Sequence, residues 1–132
     1  MTKPHRIRNE QGQTMTEFAL VLPILALLLF GVIQFGILFN NYVTLTDAVR
    51  SGARKAAVSR QASDPRGDAE AAVRKAADTL DQTKLAVSVT PSTPWAHGGE
   101  VTVTATYPYA IDLLGFALAS GNLRSTTVER VE

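Results

Sequence analysis

The chemistry this chain can do gathers at one edge of an apolar run. Glu17 opens that run, five residues after Gly12. From Phe18 to Phe39, a stretch of 22 residues, Gln34 is the only side chain able to hydrogen-bond. About 20 apolar residues at 1.5 Å each cover a hydrocarbon core of about 30 Å. A carboxylate at the edge of such a run is costly unless something pairs with it. The cost is roughly 2.5–3.5 kcal/mol at mid-membrane and falls toward the interface. Glu17 is therefore the first candidate site, and the chemistry it offers is charge pairing.

Other chemistries lack their parts. The two histidines, His5 and His97, lie far apart in sequence, and there is no cysteine. A zinc site would need carboxylates alone, an improbable ligand set for that ion. The sequence contains no Walker A loop, no GxSxG and no HExxH. Ser92 and Ser120 have no base at a recognisable spacing. The expectation is a protein that is not an enzyme and takes no cofactor or metal. The formal net charge is +1, and after Phe39 ten Lys/Arg balance ten Asp/Glu. That balance argues against nucleic acid as a partner.

The elements that position Glu17 come next. Met1 to Gly12 is a basic leader, with Lys3, Arg6 and Arg8 against Glu10. A basic segment before an apolar one resembles a secretory signal, whose apolar core is about 7–15 residues long. This run is longer. It ends in Phe39-Asn40-Asn41-Tyr42, with no small-residue cleavage site. On these features alone, an uncleaved signal-anchored binding domain stays open. Loop charge leaves the orientation open too: Arg50, Arg54 and Lys55 follow the run as closely as the leader's three cations precede it.

The segment Gly12-Gln13-Thr14-Met15-Thr16-Glu17-Phe18-Ala19-Leu20-Val21-Leu22-Pro23 resembles the opening of TadE-like proteins. So do Phe35-Gly36 and Asp47-Ala48-Val49-Arg50-Ser51-Gly52-Ala53-Arg54. These are minor pilins or pseudopilins of the tight-adherence (Tad/Flp, type IVc) pilus system. The resemblance implies that prepilin peptidase cuts between Gly12 and Gln13 on the cytoplasmic side. It implies that Glu17 then pairs with the new α-amino group of a neighbouring subunit, and that Phe18 begins the helix used for assembly. The first mature residue would be Gln13, where many pilins carry an N-methylated phenylalanine.

The resemblance also implies the partners: other pilin subunits, the prepilin peptidase, a pilus assembly platform, and membrane lipid before assembly. The location implied is the bacterial cytoplasmic membrane, in a single pass, and then the pilus or cell surface. The role would be structural, serving adhesion, colonisation or secretion. A length of 132 residues favours a minor pilin; the alternative within the family is a main subunit that polymerises by itself.

Four stretches are expected: a leader (1–12), an apolar assembly helix (13–39), its continuation out of the membrane (40–62) and a small α/β domain (63–132). The fold class is α+β. A helix over about residues 14–60 would run roughly 70 Å, with Pro23 able to kink it. Ala48, Val49, Ala53, Ala56 and Ala57 recur at helical spacing. Asp47, Arg50 and Arg54 are candidates for subunit contacts, with a merely solvated face as the plainer reading. Ser63 to Gly67 reads as a turn. Asp68 would cap a short helix with a stripe of Ala72, Val73, Ala76, Ala77 and Leu80.

Leu85-Val87-Val89 and Val101-Val103-Ala105-Tyr107 alternate with polar residues, as half-buried strands do. Leu123–Val131 would add a third antiparallel strand. Ile111–Leu118 has no clear period and could be a short helix over the sheet or a surface patch. Trp95 and His97 share the loop between the first two strands, where Trp95 either packs back on the domain or joins a contact.

Overall fold

A computed structural model describes residues 8–91, 95–113 and 115–132, with side chains from residue 12 onward. Lys3 and Arg6 of the leader, the side chain of Arg8, Ser92 and Leu114 lie outside the described residues. The architecture is α+β. Two helices, α1 (Arg8–Val58) and α2 (Pro65–Ala76), precede three strands: β1 (Ala86–Pro91), β2 (Glu100–Leu113) and β3 (Phe116–Arg130). The strands form one antiparallel sheet in the order β1-β2-β3. The chain divides into two units, Met1–Phe35 and Gly36–Glu132.

Among its described residues the first unit is helix alone. α1 continues through Pro23, although proline removes one amide donor from the ladder. The second unit holds the core. On its part of α1, Leu45, Ala48, Val49, Ala53, Ala56 and Ala57 are buried. Their spacing of three and four residues makes one stripe. Arg50, Arg54 and Lys55 lie off it and are exposed. Ser59 ends the helix: its hydroxyl donates to the Lys55 carbonyl at 2.6 Å.

The cap of α2 is Asp64, not Asp68. The Asp64 carboxylate accepts from the Gly67 N–H at 3.0 Å, and Pro65 takes the first helical position. Proline suits that position because its missing N–H would be an orphan there anyway. Asp68 instead sits in the first turn and meets Lys55 at 3.9 Å. The apolar stripe also differs from the expected one. Ala69, Val73, Ala77 and Leu80 are buried, Ala72 is only half-buried and Ala76 is exposed.

The reason lies at Gly52. A Cβ there would collide with Val73 Cγ2 and come 3.1 Å from the Ala69 carbonyl oxygen. α2 crosses α1 so closely that one row, Ala69 and Val73, fills the contact, and Ala76 is left outside it.

The strand alternation appears as expected. Leu85, Val89, Val101, Val103 and Ala105 are buried, with Val87, Tyr107 and Leu123 packed against the cluster. The outer face is a polar ladder in which Thr104 and Thr126 share a hydroxyl hydrogen bond of 3.0 Å. Beneath β3 the core runs out: Ser125, Thr127 and Glu129 stand half-buried, paired with Ala105, Val103 and Val101. The stretch Ile111–Leu118 is not a helix. It ends β2 and begins β3 around a turn at Gly115, whose φ of +87° favours glycine. β3 therefore starts at Phe116, seven residues before the expected Leu123.

The β1–β2 loop and the C-terminal residue are both tied to α1. The Trp95 indole N–H donates to the Ala56 carbonyl at 2.9 Å, and the Glu132 N–H donates to the Ala57 carbonyl at 3.0 Å. Trp95 thus packs back on its own domain, whereas His97 is exposed.

Candidate assembly surface

Gly12, Gln13, Glu17 and Phe18 all lie on the described part of α1, within its first turns after the leader. The Gln13 carboxamide donates through Nε2 to Glu17 Oε1 at 3.1 Å. This i, i+4 bond gives the carboxylate one partner inside its own helix. A carboxylate can accept about four hydrogen bonds, so capacity remains for a cation from elsewhere. The Thr16 hydroxyl donates to the Gly12 carbonyl at 2.9 Å. Both bonds are exposed, as are Glu17 itself and Phe18, the latter at 60%.

The apolar run that follows is exposed on every face. Leu27, Leu28, Leu29 and Ile37 point in four different directions round the helix, and each is more than half exposed. No residue of the most apolar window is buried in the chain. A helix apolar all round belongs in a membrane or inside a larger body. Gly31 opens a shallow groove among Leu27, Leu28, Val32 and Phe35. By length and composition α1 is able to cross a bilayer.

The second unit carries its own groove on the exposed side of α1, lined by Phe39, Tyr42, Val43, Thr46, Asp47 and Arg50. Arg50 meets Asp47 at 3.7 Å, with both side chains more than 60% exposed. Pairs of that kind contribute about 0–1 kcal/mol, so either partner is free to trade for another. Arg54 is exposed and has no ion pair among the described residues. The structure thus places Asp47 and Arg50 in one groove and leaves Arg54 outside it.

Sequence reasoning missed Tyr42, Val43 and Thr46 as its neighbours. The signal was present: positions 39, 42, 43, 46 and 50 follow the helical repeat on a face beside the core stripe. Among the described residues no group of three or more His, Cys, Asp or Glu could hold a metal.

Residues 12–54 match the family model of TadE-like proteins. The chain is similar to TadE-like proteins over this segment, about a third of its length. The match begins at the glycine before Gln13 and ends at Arg54, so it takes in every candidate site residue named above. It stops within α1, and α2 and the whole sheet lie outside it. No curated protein and no solved structure matches the chain. TadE-like proteins are structural components of the Tad pilus system, and one apolar N-terminal helix fits a membrane-anchored pilus component.

Proposed function

We propose that this TadE-like chain is a pilin-like subunit that prepilin peptidase trims between Gly12 and Gln13. Trimming leaves an α-amino group on Gln13, one helical turn from Glu17. The Glu17 carboxylate of one subunit pairs with that amine on its neighbour, and the apolar part of α1 leaves lipid to pack among other pilin helices. The α/β domain stays outside as the displayed part of a minor subunit. The observation that carries this reading is the match over residues 12–54 joined to an apolar helix exposed on every face, with one carboxylate at its start.

The exchange makes sense energetically. A charge near lipid is costly alone, and removing one partner of a buried pair costs about 3–5 kcal/mol. A subunit in the wrong axial register would leave Glu17 unpaired at a cost of that order. Asp47 and Arg50, weakly paired at 3.7 Å, would supply a second, exchangeable contact further along the helix.

The test is the distribution of a Glu17→Ala variant between the membrane and the sheared pilus fraction. Loss from the pilus fraction by tenfold or more, with normal membrane levels, supports the pairing. Equal incorporation of variant and wild type contradicts it.

A further inference from the structure

The β2–β3 hairpin outruns the core. The buried stripe of α1 extends from Leu45 to Ala57, about 18 Å at helical rise. The hairpin extends from the Glu100–Arg130 pair to the Leu113–Phe116 pair, about 44 Å at strand rise. β1 pairs only with Val101–Thr106, so from Tyr107 onward the hairpin is a two-stranded ribbon. Such a ribbon has marginal stability in water on its own.

Its composition is unusual for an exposed ribbon. Between Tyr107 and Leu123, Asp112 is the only charged residue. Phe116 and Leu118 are 76% and 65% exposed. The base of the hairpin is held at the end of α1: Gly98 donates to the Val131 carbonyl at 2.8 Å, and Glu132 to the Ala57 carbonyl at 3.0 Å. Val101, Val103 and Ala105 share one core with the stripe that leads back from Ala56 to Leu45. The strands therefore lead back along the helix from Ala57 toward Leu45, with the Tyr107 hydroxyl accepting from the Asp81 N–H just past the core residue Leu80. From Ala57 to Phe39 is about 27 Å of helix, so a ribbon of about 44 Å is long enough to reach that level even when inclined. Phe39 is where the apolar run ends.

We propose that the tip around Leu113 and Phe116 docks on the lipid surface, at the boundary between headgroups and acyl chains. This rests on reading residues 13–39 as a membrane span. The occupant follows from three facts. The tip is apolar and nearly uncharged, its base is held at the far end of the helix, and the chain's own span keeps a bilayer within reach. Phenylalanine and leucine on the apolar side of an interfacial segment bury into that boundary. Docking there would make a second foothold beside the span and fix how the domain faces its neighbours before assembly. Leaving lipid for a filament would release it.

The chain has no cysteine, so single-site labelling is clean. Full-length Phe116→Cys, Ser88→Cys and Val32→Cys variants would be labelled with an environment-sensitive fluorophore. Each would be reconstituted into phosphatidylethanolamine/phosphatidylglycerol vesicles at low protein density. Quenching by spin-labelled lipid and by aqueous iodide is then compared. The label at 32 reports the span and should be quenched by deep lipid probes; if it is not, the membrane reading has failed, whatever position 116 does. With that in place, the proposal expects position 116 to be quenched by shallow lipid probes at least threefold more than position 88, and shielded from iodide. Iodide quenching equal at 116 and 88 overturns it. Shielding of 116 from both quenchers overturns it in favour of a protein partner.

Discussion

α1 contains two apolar stretches that differ in the way that matters most. Residues 18–39 are large and apolar on all sides, and none of the most apolar window is buried by the chain itself. Residues 45–57 are small on one stripe, with Leu45, Ala48, Val49, Gly52, Ala53, Ala56 and Ala57 buried, and charged on the others. Among the described residues nothing packs over the most apolar window of the first stretch, so its burial would come from lipid or other subunits. The second is narrow because α2 and the sheet cover one side only. Residue size follows the same logic: alanine and glycine let α2 approach, whereas leucine and phenylalanine fill an environment that has no fixed shape.

That contrast can be broken directly. Leu45→Ala should lower the stability of the domain by about 2–5 kcal/mol, as large-to-small changes in a core do. Leu28→Ala, in the exposed stretch, should leave it within about 0.5 kcal/mol. Denaturant unfolding of the detergent-solubilised chain, followed by Trp95 fluorescence, reads both. Equal effects would mean that the two stretches do not differ as described.

Gly52→Ala sharpens the role of close approach. The added Cβ collides with Val73, and overpacking of this kind costs about 1–3 kcal/mol. Gly36→Ala, where nothing lies within 4 Å, should leave domain stability unchanged or slightly raised. The same unfolding curves decide it.

Asp64→Ala removes the cap of α2 and should cost about 0.5–2 kcal/mol. Asp68→Ala should cost less, because its Lys55 contact is long and exposed. The order of the two midpoints is the check.

The smallest effect concerns pH. Asp81 is held below its ordinary value of 3.8 chiefly by the Thr83 hydroxyl, then by the Thr83 N–H, with Lys84 adding less. A lowered carboxylate pKa contributes stability above the unfolded value that is lost as pH falls through the folded one. The Thr83 amide shift should therefore titrate below pH 3.8 in an NMR series, and Thr83→Ala should move that titration upward.

The strands were legible because alternation is a direct record of burial. Val101, Val103 and Ala105 face a core, and Thr102, Thr104 and Thr106 face water. The hairpin end was not, because Ile111 to Leu118 has no core beneath it to impose a period. The cap was misplaced by one turn, although Asp64-Pro65 is itself a start signal. The stripe of α2 was misread because its width depends on Gly52, which lies on another helix. Glu17 was legible by contrast with the apolar residues after it. Its proposed partner is not legible in this chain, since that group belongs to another copy and would exist only after cleavage.

The central claim is that the exposed stretch of α1 begins a trimmed subunit built to pack with others. The most direct measurement is the intact mass, or terminal sequence, of the protein from cells with a working prepilin peptidase. The account predicts a chain that starts at Gln13. A chain that starts at Met1 or Thr2 in such cells would contradict it, and would leave a signal-anchored domain in its place.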